Sequence, residues 1–93
     1  MKNPDRRTVS KLDELPNIGK KIAISLESIG IDHPQKLIGK SPIKMYEKLC
    51  EEKGCHVDHC VIDTFMSAVD FMEGGDSKPW WEYTAKRKII MKR

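Results

Sequence analysis

The sequence reads as an all-α domain, on three observations. No stretch alternates apolar and polar residues as a strand would; apolar residues recur at three- and four-residue intervals; and the breaks between those runs carry the Pro, Gly and short polar residues that start and stop helices. Five helices are expected in order. Val9, Leu12 and Leu15 make a short first one, with Ser10 and Asp13 as a partial capping box. It must end by Pro16, because the residue before a proline avoids helical backbone angles. Ile18, Ile22, Ala23, Leu26 and Ile29 recur at helical spacing in the second, which Gly30 closes with a left-handed cap.

In "DHPQKLIGK", Asp32 or His33 caps a connector of one or two turns, with Pro34 at its first position and Leu37 and Ile38 buried. Ser41 and Pro42 repeat that start signal for the fourth helix, which buries Ile43, Tyr46, Leu49 and Cys50 and stops at Gly54. Asp58 caps the fifth and longest. There Val57, Val61, Phe65, Ala68 and Met72 form one stripe, widened by Cys60, Ile62, Met66 and Val69, so it should be buried against several neighbours. Gly74-Gly75 ends it. Residues 78–93 form an aromatic and basic tail, partly docked through its aromatics. In that tail Trp81, Ala85 and Ile89 sit four apart, with Lys86, Arg87 and Lys88 on another side, a pattern open to a short amphipathic helix.

A chain of 93 residues supports one modest core. A third of its residues are charged and its longest apolar runs are triplets, which excludes a membrane span and gives a cytoplasmic expectation. Three cysteines, an odd number without framework spacing, suit a reducing compartment. Charge is uneven. Residues 1–21 carry six Lys/Arg against three Asp/Glu, residues 22–77 five against ten, and residues 78–93 six against one, so any anionic partner is expected to meet the ends and not the middle.

The stretch "LPNIGKKIAISL" holds the strongest functional pattern. A glycine at a helix start lets a ligand approach the backbone, and the first N–H groups of the helix have no internal partners and lie at the positive end of its dipole. A phosphate oxygen fits there, with Lys20 and Lys21 as flanking charges. Such contacts hold the sugar-phosphate backbone without reading bases.

Leu12, Leu15, Pro16, Ile18, Gly19, Ala23 and Leu26, followed by Gly30-Ile31, resemble the helix-hairpin-helix motif of DNA repair and recombination proteins. The departure is Asn17, where that family has a glycine; asparagine is the residue that best tolerates left-handed angles in its place. The resemblance implies a paired, SAM-domain-like bundle over residues 1–77. Its first hairpin would span 9–29, its connector 32–40 and a degenerate second hairpin 42–73. In the second hairpin Asp58 would compete with a phosphate for the helix amides, leaving it structural.

More narrowly, "LPNIGKKIAISLESIGI", "MYEKLC", "DHCVIDTF" and "KPWWEYT" resemble the small bacterial helix-hairpin-helix proteins named after a pathogenicity locus, some of them labelled mitomycin-resistance proteins. The C-terminal domain of TfoX-type competence regulators is a looser likeness.

The expected function is weak, sequence-nonspecific DNA-backbone binding through Asn17, Ile18, Gly19, Lys20 and Lys21, with Lys11 adding charge. Trp80 and Trp81 are candidates for an aromatic contact. The alternative is a protein-interaction or homodimerisation module. No enzyme activity and no cofactor are expected, since Asp58 and Asp63 are too far round a helix to converge. Cys55, His56, His59 and Cys60 invite a zinc reading, set against Cys50 and Cys60 lying on apolar helical stripes as small hydrophobes.

Overall fold

The structure, a computed structural model, describes residues 7–15, 17–75 and 78–91, without the side chains of residues 80, 90 and 91. Among the described residues there are four α-helices and no strand: α1 (Lys20–Ser28), α2 (Pro42–Lys53), α3 (Cys60–Met72) and α4 (Thr84–Met91). Single 3-10 turns precede α1 (Leu12–Glu14), precede α2 (Pro34–Leu37) and lead into α4 (Trp80–Tyr83). The all-α expectation holds and the count of five is corrected. The expected first helix and the connector are each one 3-10 turn, because three or four residues close too few hydrogen bonds to nucleate an α-helix. The fourth α-helix lies instead in the tail.

Local chemistry sets the ends. Ser41 caps α2 by accepting a hydrogen bond from the Lys44 amide at 3.4 Å, and Pro42 fills the first helical position, whose N–H would have no partner. Gly54 ends that helix at φ 66°. After α1, Ile31 N–H donates to Leu26 O and Gly30 N–H to Glu27 O, the paired bonds of a Schellman cap with Gly30 at φ 88°. The connector is capped by His33, whose Nδ1 accepts from the Gln35 amide. At the first turn Glu14 bonds back to the start of the turn. Its Oε1 accepts from the Ser10 and Lys11 amides at 2.8 and 3.0 Å, and those bonds hold its carboxyl below the usual carboxylate range.

α3 is the central element. Every residue from Ile62 to Val69 is buried, as are Phe71 and Met72, because α2, the connector turn, the Trp80–Tyr83 turn and α4 all pack around it. Leu15, Ile18, Leu26, Leu37 and Leu49 complete the core from the other elements. The two aspartates within α3 are paired with the tail. Asp63, fully buried, accepts from Arg87 Nε and from Thr84 Oγ1, each at 2.7 Å, and Asp70 accepts from the Tyr83 hydroxyl at 2.7 Å. The tail is thus fastened by two carboxylates as well as by the buried ring of Tyr83. A Cβ on Gly75 would come within 2.6 Å of the Asp70 carboxylate, so the chain leaving α3 needs a glycine there.

Candidate nucleic-acid interface

The turn between Leu15 and Gly19 is built from both ends. Leu15 and Ile18 are fully buried plugs, and Ile18 N–H donates to Leu15 O across the turn. Asn17 takes φ 65°, the left-handed angle that a glycine-like position demands, and stands alone among the described non-glycine residues in doing so. Its side chain then supplies what a glycine could not. Nδ2 donates to Ser67 Oγ at 3.0 Å and to Lys78 O at 2.7 Å, joining the turn to α3 and to the start of the tail.

Beyond it, Gly19 is the N-cap of α1 in extended geometry, φ −96° and ψ −174°. Its Cβ, if present, would meet no atom within 4 Å, and its φ is open to any residue, so the fold makes no demand for glycine at this position. No side chain caps the helix. Gly19, Lys20 and Lys21 are exposed, their amides have no partner among the described residues, and the two lysines stand at the first two helical positions, where a cation opposes the helix dipole.

The six residues expected to meet nucleic acid therefore divide. Gly19, Lys20 and Lys21 present amides and charge outward. Lys11 and Lys20 both line a shallow groove of about 360 Å³ between the first turn and α1. Ile18 is buried and its amide is used, so it anchors the turn; Asn17 faces inward and holds it to the tail. Asp13, Glu27 and Asp32 also line the groove, the last two at the far end of α1. Trp81 is 62 % exposed, and the side chain of Trp80 lies outside the described residues. Pro16 lies outside them as well, although Leu15 has the extended angles expected before a proline.

The loop joining α2 to α3 has a different helix start. Asp58 Oδ1 accepts from the Cys60 amide at 3.2 Å, so a carboxylate already occupies that helix start. Nearby, the Tyr46 hydroxyl donates to Val57 O, and burial, then Cys50 beside it, pushes its pKa up to about 12. Among the described residues no three His, Cys, Asp or Glu side chains converge as ligands for a metal ion. Cys50 Sγ instead accepts from the Val57 amide at 3.5 Å, and burial, followed by the charge of Asp58, raises the Cys60 thiol. No helix among the described residues is long and apolar enough to cross a membrane.

A small all-helical domain with a bare, cationic helix start is the class defined so far. The chain belongs to the pathogenicity locus family (Cdd1), whose model matches residues 5–89. It is also similar to the mitomycin resistance protein McrB of Streptomyces lavendulae, 40 % identical over 82 residues that span 88 % of this chain and 78 % of that protein. No solved structure matches.

Proposed function

We propose that this chain is a non-catalytic helix-hairpin-helix protein that holds the DNA backbone weakly and without sequence preference. The observation that carries the reading is the uncapped start of α1, where the exposed amides of Gly19, Lys20 and Lys21 are unpartnered and two lysines sit against the dipole. Each feature works against stability on its own. A glycine N-cap in place of a side-chain cap costs roughly a few tenths of a kcal/mol, and a cation in the first turn about 0.3–1 kcal/mol. A bound phosphate turns both into favourable terms. The paired arrangement would then have one binding hairpin and one structural hairpin, closed by Asp58.

The test is a titration with short duplex and single-stranded DNA at two salt concentrations. Contact with two or three phosphates gives a log–log salt slope of about −2 to −3 for a duplex. Lys20→Ala/Lys21→Ala should lower affinity and flatten that slope. Unchanged binding in this variant would place the site elsewhere.

A second reading, a homodimer or protein-interaction module, is favoured by one observation. Trp81 and Ile89 are 62 % and 66 % exposed with Ala85 exposed between them, an apolar stripe on the outer face of the tail. Deleting residues 85–93 would be a poor test, since it strips Arg87 from buried Asp63. The informative variant is Trp81→Ser/Ile89→Ser, with sedimentation velocity over a range of concentrations. Mitomycin resistance is the property named for the relative. For this chain it is a phenotype to measure, as survival of mitomycin-treated cells expressing wild type or Lys20→Ala/Lys21→Ala.

A further inference from the structure

The regional charge of residues 22–77 conceals a segregated surface. That region carries ten acids and five lysines, yet four of the five, Lys36, Lys40, Lys44 and Lys48, line one open groove of about 820 Å³ between the end of α1, the connector and α2. No carboxylate lines it. Lys36 is paired with Asp32 at 2.8 Å, whereas Lys40, Lys44 and Lys48 have no acidic partner among the described residues. Ile29, Ile31 and Met45 close the groove from the core side, and Ile38, 54 % exposed, stands at its edge. The sequence pattern places Ile38 inside; the one-turn connector leaves it outside.

We propose that this groove is a docking site for an acidic segment of a partner protein, an amphipathic helix that lays an apolar face on Ile38 and the groove floor with carboxylates toward Lys40, Lys44 and Lys48. Charge complementarity and the mixed lining argue for this occupant over nucleic acid. The groove has no aromatic side chain on which a base could stack and no arginine to fork onto a phosphate. Its helix start offers few donors, since Pro42 has no N–H and the Lys44 amide is bonded to Ser41, and the Gly39 amide nearby donates to Glu73 at 2.8 Å. An apolar floor with a cationic rim instead matches helix-in-groove recognition, where apolar anchors supply affinity and rim charges supply orientation and on-rate. This surface is separate from the Gly19–Lys21 corner, and its occupant does not depend on whether that corner binds DNA.

The probe is a fluorescein-labelled helical peptide with leucines at i, i+3, i+4 and i+7 and glutamates on its flanks, titrated by anisotropy against the full chain. Its Leu→Ser version and a labelled DNA duplex run in parallel. Lys44→Glu is a clean perturbation, because a glutamate three positions after Ser41 completes a capping box and preserves the helix while reversing the charge. Lys44→Glu/Lys48→Glu should weaken the peptide by about tenfold, as loss of oriented rim charge does. Ile38→Ser should weaken it independently, and Lys20→Ala/Lys21→Ala should leave it unchanged. The proposal is overturned if the peptide fails to bind, if its Leu→Ser version binds as well, or if the groove variants weaken the duplex and spare the peptide, which would make the groove a nucleic-acid path.

Discussion

Replacing Asn17 by the glycine that helix-hairpin-helix turns carry should destabilise this protein, against the simple expectation for a left-handed position. The amide makes two hydrogen bonds, to Ser67 Oγ and to Lys78 O. At about 0.5–1.5 kcal/mol each, their loss costs about 1–3 kcal/mol. Ser67 keeps its own proton satisfied through Thr64 O at 2.7 Å, so no buried donor is orphaned and the lower half of that range applies. Glycine gives back less than the roughly 1–2 kcal/mol that a left-handed angle costs an ordinary residue, since asparagine tolerates it, and the freer unfolded chain takes away about 0.4–1 kcal/mol. The net for Asn17→Gly is a loss of about 1 kcal/mol, or about 4–8 °C in Tm for a domain of this size. Asn17→Ala loses the same bonds and must hold φ 65° with a Cβ, so it should lose about 2–4 kcal/mol. Urea denaturation followed by circular dichroism measures both. A stability order of glycine above asparagine would refute the reasoning, because it would mean that the bonds to Ser67 and Lys78 contribute nothing.

Arg87→Met leaves fully buried Asp63 with Thr84 alone and should cost about 3–5 kcal/mol, whereas Asp63→Leu/Arg87→Met should recover most of it; equal losses in chemical denaturation would dismiss the pair as the tail's anchor. Tyr46, raised to about 12 from an ordinary value near 10, keeps its proton in the folded chain after the unfolded chain has released it. Its contribution is therefore complete below pH 10 and falls as pH rises toward 12, and Tyr46→Phe should flatten the stability profile in that window. Exposed Cys55 should be alkylated by iodoacetamide well before Cys60, whose thiol is raised by burial, as peptide mapping after a short pulse would show.

What the sequence disclosed follows from range. The left-handed Gly30 and Gly54 and the Ser41-Pro42 start each depend on residues within one turn of one another, and all were legible; Asp58 bonds the first amide of α3, but the N-cap is His59, one residue further on. Asn17 as a left-handed stand-in for glycine was legible for the same reason. Its inward bonds were not, because they link positions 50 and 61 residues apart. The Asp63–Arg87 pair spans 24 residues, and helical spacing grouped Arg87 only with Lys86 and Lys88, on a side other than the apolar one. Periodicity overestimated the first helix, since three apolar residues at helical spacing fit one 3-10 turn as well as an α-helix; the connector, read from its cap and proline as one or two turns, is one 3-10 turn. The lysine groove was hidden by averaging, a surface property that a regional sum of charge erases.

The two hairpins carry opposite chemistry at their helix starts, and exchanging that chemistry tests the proposed site most directly. Asp58 occupies an amide of α3, while nothing occupies those of α1. Gly19 already has the extended angles that suit an N-cap aspartate, and an added Cβ meets open space, so Gly19→Asp places a carboxylate at the start of α1 without strain. The carboxylate would accept from the free amides and offset the dipole conflict of Lys20 and Lys21. Stability should rise by about 0.5–1 kcal/mol, a few tenths from the better cap and the rest from the dipole. DNA binding should fall at least as far as in Lys20→Ala/Lys21→Ala, because the amides are taken and the nearest new charge repels phosphate. A gain in stability with binding intact would separate the two properties and remove this corner from the interface. A loss of both would mean that Gly19 serves the fold in a way its open surroundings do not suggest.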